Sequence, residues 1–293
     1  MPIVQTLLAG AIDFAGLFPP ASLELPAALD AFVDYRRGPD AWALGRFVVP
    51  ADRLSELEAL LRHRSGNPVG VPVSALLGAE AAGGLEAIER FNAGSASHGG
   101  RVESVEVKAA SAADAPRVLA GLPPVLARYL EIPFGPSGME ALAPIADQGA
   151  FAKIRTGGVT AAAFSPPEPI ADFLIGAALL RLPFKATAGL HHPLRGNFRL
   201  TYEAAAPVGT MYGYLNLLLA SLVAWSGGTG AEVAAALLEG SEGALSAAGG
   251  FLAWRGRRFD EPAVAVCRTQ FFHGFGSCSF REPLDELFLG SEA

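Results

Sequence analysis

Lys153 and Lys185 are the residues whose chemistry the sequence most readily suggests. Each sits in a short apolar run of the kind that forms a strand, AFAKIRTG from Ala150 and PFKATAGL from Pro183. A lysine becomes a nucleophile when its ammonium loses a proton near neutral pH, which desolvation or a neighbouring cation promotes. Two lysines on adjacent strands are expected to do this to each other. A neutral amine can then attack a carbonyl and form a Schiff base, whose protonated imine withdraws electrons and lets a neighbouring C–C or C–H bond break. Strand alternation adds other groups to the same faces. Glu106 and Lys108 oppose Val105 and Val107, Tyr129 and Glu131 alternate with Leu130 and Ile132, and Arg155 falls on the face of Lys153.

Eight such runs are separated by helical patterns, which predicts an α/β protein of the (β/α)8 barrel type, one domain over residues 1–293. The runs are AIDFAGLF from Ala11, ALGRFVV from Ala43, PVGVPVSALL from Pro68, VESVEVKAA from Val102, ARYLEIPF from Ala127, the two lysine runs, and HGFGSCSF from His273. Leu23–Tyr35, Ala51–His63, Ala112–Leu122, Ser137–Asp147 and Pro169–Arg181 read as helices between them. The seventh and eighth runs are far apart, so an insertion of about residues 193–272 is expected to cover or flank the C-terminal face or to form a contact between subunits. Within it the sequence predicts an apolar helix at Met211–Trp225, an Ala-rich one from about Ala231, an extended piece at FLAWRGRRF and a helix capped by Asp260.

In such a barrel one strand face points to the axis, and the site lies at the C-terminal ends of the strands. Charges there find partners and water, whereas outward charges would be buried under helices. Lys108, Lys153, Arg155 and Lys185 set against Glu106 and Glu131 predict a pocket with excess positive charge, suited to a small anionic substrate.

The two lysine segments, AKIRTGG and FKATAGL, resemble the lysine motifs of deoxyribose-phosphate aldolases. IDFAGLFPPAS from Ile12 is similar to that family's first-strand motif, RFVVPADRL from Arg46 to its second strand, and FGSCSF from Phe275 to its phosphate-binding turn after the eighth strand. The resemblance runs from Ile12 to Phe280 and implies a class I aldolase-like lyase that needs no metal and no organic cofactor. It implies Lys153 as the Schiff-base lysine, Lys185 as its pKa-lowering neighbour and Asp13 in a proton relay. Glu106 would stand in for a family carboxylate that aligns nearer Ser104. Gly157, Gly158, Gly276, Ser277 and Ser279 would offer N–H and hydroxyl donors to an anion. Beside what the resemblance implies, the inward strand faces offer Arg155, Lys108 and Glu131 as substrate contacts, with Arg46 on the second strand as another. Arg155 departs from the pattern, since the family has a small residue there, and suggests an acidic group close to the reacting carbon.

LHHPLRG, from Leu190, has no counterpart in the family. His191 and His192 are adjacent and point to opposite sides of an extended segment, so they suit proton transfer or substrate contact better than one shared metal. Cys278 falls at the barrel mouth, with no histidine assigned beside it. Two alternatives compete with the lyase reading. One is a barrel enzyme using Glu131, His191 or His192 for acid–base or metal-dependent work on a phosphorylated or carboxylated substrate; the other is a barrel that binds a ligand without turnover.

Bulk properties narrow the classes. A net charge of −7 and a pI near 5.3 leave no basic footprint for nucleic acid. The most apolar stretch, Met211–Trp225, is short for a membrane span. The first residues carry no Lys or Arg ahead of their apolar run, and two cysteines are too few for a disulfide framework, so a cytoplasmic protein is expected. Self-association into a homo-oligomer remains open at this level.

Overall fold

A computed structural model describes residues 2–64, 68–78, 81–109 and 111–289. Helix α1 (Pro2–Leu8) leads into β1 (Ile12–Phe14), and strands and helices then alternate: α2 (Leu25–Arg37), β2 (Leu44–Pro50), α3 (Leu54–His63), β3 (Val71–Leu76), α4 (Ala81–Ser95), β4 (Gly100–Lys108), α5 (Ala115–Ala120), β5 (Ala127–Glu131), α6 (Pro136–Asp147), β6 (Phe151–Arg155), α7 (Pro167–Leu179) and β7 (Phe184–Thr187). The insertion follows. It contains a hairpin of β8 (Gly196–Arg199) and β9 (Val208–Met211), then α8 (Tyr214–Trp225) and α9 (Gly230–Leu238). An antiparallel sheet of β10 (Leu245–Ala248), β11 (Phe251–Trp254) and β12 (Arg257–Asp260) leads to α10 (Glu261–Gln270). Strand β13 (Phe272–Ser277) then enters between β7 and β1 and closes an eight-stranded, wholly parallel barrel, followed by α11 (Arg281–Asp285).

The eight sequence runs are the eight barrel strands, and the fold is a (β/α)8 barrel with its insertion between the seventh and eighth of them. The helices form because each carries an apolar stripe for the sheet's outer face. In α3, Leu54, Leu57 and Leu61 are buried; in α2, Leu25, Ala28, Leu29, Phe32 and Val33 are. Helix α8 is buried from Tyr214 to Ala224 because α7, α9, α10 and β13 all pack on it. Helix α10 starts at the expected N-cap, Asp260, whose Oδ1 accepts the N–H of Ala263 at 2.9 Å.

The insertion divides between the two ends of the barrel. The β8–β9 hairpin lies at the C-terminal ends of the strands, where Leu200 and Met211 wall the cavity described below. The three-stranded sheet instead touches α1, the helix that precedes the first strand. The part of the insertion that walls the cavity is therefore the hairpin. Among the described residues no helix is long and apolar enough to cross a membrane.

Candidate functional site

Four strands place their inward residues at one height. Lys153 on β6 is the direct cross-strand partner of Lys185 on β7 and of Glu131 on β5, and Glu131 in turn is the partner of Lys108 on β4. Glu106 lies between the two lysines. Its Oε2 is 2.8 Å from Lys153 Nζ and its Oε1 is 2.6 Å from Lys185 Nζ. Lys153 Nζ also lies 2.8 Å from Glu131 Oε2, and Lys185 is ion-paired with Asp13 on β1. All four central groups are buried: Lys185 and Glu106 are each 2% exposed, Lys153 4% and Asp13 6%. Lys153, Lys185, Asp13 and Glu106 are thus brought together as the sequence suggests, with Glu131 as a fifth member.

Their neighbours fix these carboxylates. Ser104 Oγ donates to Ser74 Oγ, which donates to Glu106 Oε1, both at 2.7 Å. Asp13 Oδ1 accepts the backbone N–H of Arg46 at 2.6 Å. That contact needs Gly45, because a Cβ there would fall 2.3 Å from Asp13 Oδ1. Ser74 and Gly45 are not recognisable as site residues from sequence, since small residues on strands carry no chemical signature of their own; Ser104 enters the sequence reading only as the position nearest the family's carboxylate.

The expected excess of positive charge is not found at the centre. Asp13, Glu106 and Glu131 outnumber Lys153 and Lys185 there. Burial disfavours the charged form of Lys185, but Asp13 and Glu106 outweigh it and hold its pKa above the ordinary lysine value. Burial likewise opposes ionisation of Glu106, and the two lysines overcome this and keep it anionic far below the usual carboxylate range. Glu131 is also held low, burial being outweighed mainly by Lys153. Lys185 is therefore a fixed ammonium. The expectation that the lysines lower each other's pKa fails for Lys185, because a carboxylate stands between the two ammoniums and a second one flanks Lys185.

Above this cluster lies a cavity of about 230 Å³ at the C-terminal ends of the strands. Lys153, Lys185 and Glu106 reach it from below, and Arg155, Gly158, Gly276 and His191 line it higher up. Arg155 is 56% exposed along its side chain and loosely paired with Glu131 at 3.8 Å. No protein-family model, no curated protein and no solved structure matches this chain.

Several expected contacts lie elsewhere. Arg46 occupies the third position of β2, near the N-terminal end of the barrel, where its Nε pairs with Glu103 at 3.3 Å. Lys108 is exposed and outside the cavity wall. Gly157 is needed for packing, since a Cβ would meet the Phe164 ring at 2.4 Å. Ser279 Oγ accepts the Glu282 N–H at 3.2 Å and Ser277 Oγ lies against His191, so neither hydroxyl faces the cavity. His192 turns away, stacked on Phe198 and 2.7 Å from Glu286.

His191 points the other way and joins a group that includes Cys278, a cavity-lining thiol. Its Nδ1 is 3.2 Å from Glu282 Oε2, 3.5 Å from Ser277 Oγ and 3.9 Å from Cys278 Sγ. Tyr202, from the loop of the β8–β9 hairpin, contacts the same Cys278 and donates to Glu282 at 3.0 Å. Burial disfavours charge on His191, but Cys278 and Glu282 outweigh it and raise its pKa to about 9. A raised histidine pKa stabilises the fold fully below the unfolded value, near 6.5, and that contribution disappears as the pH rises through about 9. Urea midpoints of the wild type and His191→Gln are accordingly expected to differ most at pH 6 and to converge by pH 10. Among the described residues no group of three or more His, Cys, Asp or Glu side chains is placed to hold a metal ion.

Proposed function

We propose that this chain is a Schiff-base-forming enzyme of the lyase type, acting through Lys153 on a small oxo compound that carries an anionic group. The observation that carries this reading is a lysine at the floor of a barrel cavity, hydrogen-bonded to two carboxylates and paired across the sheet with a second lysine that stays charged. The barrel architecture commonly hosts enzymes, with reacting groups at this end of the strands. The aldolase-like segments around both lysines point the same way.

In this reading the substrate's anion binds at the cavity rim, against Arg155, and its carbonyl points down to Lys153. Glu131, the most exposed of the three carboxylates, takes a proton from Lys153. The free amine adds to the carbonyl carbon to give a carbinolamine. Water then leaves as the new C=N bond forms, its proton returned by Glu131, while the Lys185 ammonium, which shares Glu106 with Lys153, stays charged beside the new iminium. The iminium then accepts the electron pair of the neighbouring C–C or C–H bond to give an enamine; the proton released, from the β-hydroxyl of the departing carbonyl fragment or from the C–H itself, passes to Glu131, and reprotonation followed by hydrolysis of the imine frees product and Lys153.

Intact-mass measurement after sodium borohydride treatment, with a panel of small aldehydes and 2-oxo acids, tests the proposal. One added substrate mass, mapped to Lys153, is expected; no adduct from any carbonyl overturns it. Arg155→Gln is expected to raise the KM for carboxylated substrates by about 10-fold or more while leaving the adduct chemistry intact, as loss of one charge-assisted contact would. Steady-state kinetics against a neutral aldehyde, whose KM stays unchanged, provides the control.

A second reading rests on His191, which lines the same cavity beside Cys278 and Glu282. There His191 performs proton transfer on an anionic substrate with no covalent step. It predicts turnover without a trapped mass.

A further inference from the structure

We infer that the N-terminal mouth of the barrel is a second binding site, one that takes a small molecule through a carboxylate or phosphate oxyanion held by Arg268 and Arg46. A cavity of about 570 Å³ lies there, lined by Arg46 of β2, Tyr129 of β5, Phe151 of β6, Arg268 of α10 and His273 of β13. It is at the opposite end of the barrel from the lysine cluster.

Arg268 is the decisive residue. It is only 8% exposed, and among the described residues it has no carboxylate partner. Its guanidinium donates to the carbonyls of Phe272 and, at 3.1 Å, of Ala9, while its Nε is buried with no acceptor. A buried cation with an unmet donor is costly unless a counter-charge completes it. Burial lowers the pKa of Arg268 to about 10, which leaves it charged at neutral pH.

The surroundings add positive charge and remove competitors for an anion. Arg46 reaches the same cavity with one nitrogen engaged by Glu103 at the exposed edge. His273 Nδ1 is 2.9 Å from the Tyr129 hydroxyl; burial, then Arg268, Arg46 and Lys185, hold its pKa down to about 4. Burial keeps the Tyr129 hydroxyl up near 12, so both groups are neutral. Two acids touch this lining: Glu103 pairs with Arg46 at the exposed edge, and Glu261 accepts the Thr6 hydroxyl at 2.8 Å. Two guanidiniums therefore reach a cavity whose remaining lining is uncharged, Phe151 and small alanines together with Thr6, Thr269, Tyr129 and His273, an arrangement suited to an oxyanion contact.

The test is titration of inorganic phosphate and, separately, acetate into protein carrying 15N-labelled arginine, at constant ionic strength with chloride as balance. The Arg268 Nε–H resonance, assigned by its loss in Arg268→Lys, is expected to shift saturably with at least one of the two anions. Saturation with phosphate alone or acetate alone identifies the headgroup. Arg46→Gln changes a side chain at the open edge and is expected to weaken binding about 10-fold. Should Arg268→Lys fail to fold, the resonance that Arg46→Gln desensitises serves as the readout. A response that is linear in concentration, or one that Arg46→Gln leaves unchanged, reduces Arg268 to a strut between α10 and the first strand and overturns the inference.

Discussion

Replacement of Lys153 by alanine is expected to abolish the borohydride-trapped adduct outright and to lower turnover by about 1,000-fold or more, the scale on which a covalent nucleophile is lost. Lys153→Arg separates chemistry from charge. It restores a cation between Glu106 and Glu131, so its stability is expected to stay near that of the wild type while trapping remains at zero. Lys185→Met leaves the amine of Lys153 in place but removes the ammonium that shares Glu106 with it. It is expected to slow adduct formation without eliminating it. Time-resolved intact mass after mixing with the best carbonyl checks all three. An adduct that persists in Lys153→Ala would relocate the nucleophile.

The second large effect concerns stability. Glu106→Gln removes the carboxylate that bridges the two buried lysines, leaving Lys185 with Asp13 and Lys153 with Glu131. Breaking a buried ion pair from one side strands charge in the interior, which costs about 3–5 kcal/mol. Chemical denaturation at pH 7 measures this, and the double variant Glu106→Gln, Lys185→Met is expected to recover part of the loss. The pH profile follows from the same groups. Glu106 has a lowered folded pKa, so its contribution is present above the ordinary carboxylate value near 4.5 and fades as the pH falls below it. Lys185 has a raised folded pKa, so its contribution is present below about 10.5 and is lost as the pH climbs past its folded value. Stability of the wild type is therefore expected to hold across the neutral range and to fall off at both extremes, and both slopes should flatten in the double variant.

How much of this is legible in sequence depends on the kind of information each residue carries. The eight strands are legible because each is a short apolar run between polar stretches, and the inward set Glu106, Glu131, Lys153 and Lys185 follows from alternation along those runs. Alternation gives the face of a strand but not the height along the barrel axis. Arg46 departs from expectation for that reason: it lies near the start of its strand, whereas Lys153 lies in the middle of one and Arg155 at its end. Loop residues are the least legible. Ser277, Ser279 and Gly157 have the composition of an anion-binding turn, yet they are taken up by His191, the Glu282 N–H and the Phe164 ring. The histidine beside Cys278 escapes a sequence reading because His191 lies in a different segment, after β7, and only the closing of the barrel brings β7 beside β13.

The pocket's charge is graded along its depth, from three carboxylates against two ammoniums at the floor to Arg155 and His191 higher up. An entering molecule with a negative tail and a neutral carbonyl therefore experiences a torque before it touches any wall, and it arrives tail outward, carbonyl first. A symmetric dianion has no such preferred end, and a neutral aldehyde feels little turning force at all. Selection by this route is kinetic rather than steric. It should weaken as salt shortens the reach of the exposed Arg155, while the buried floor keeps its polarity.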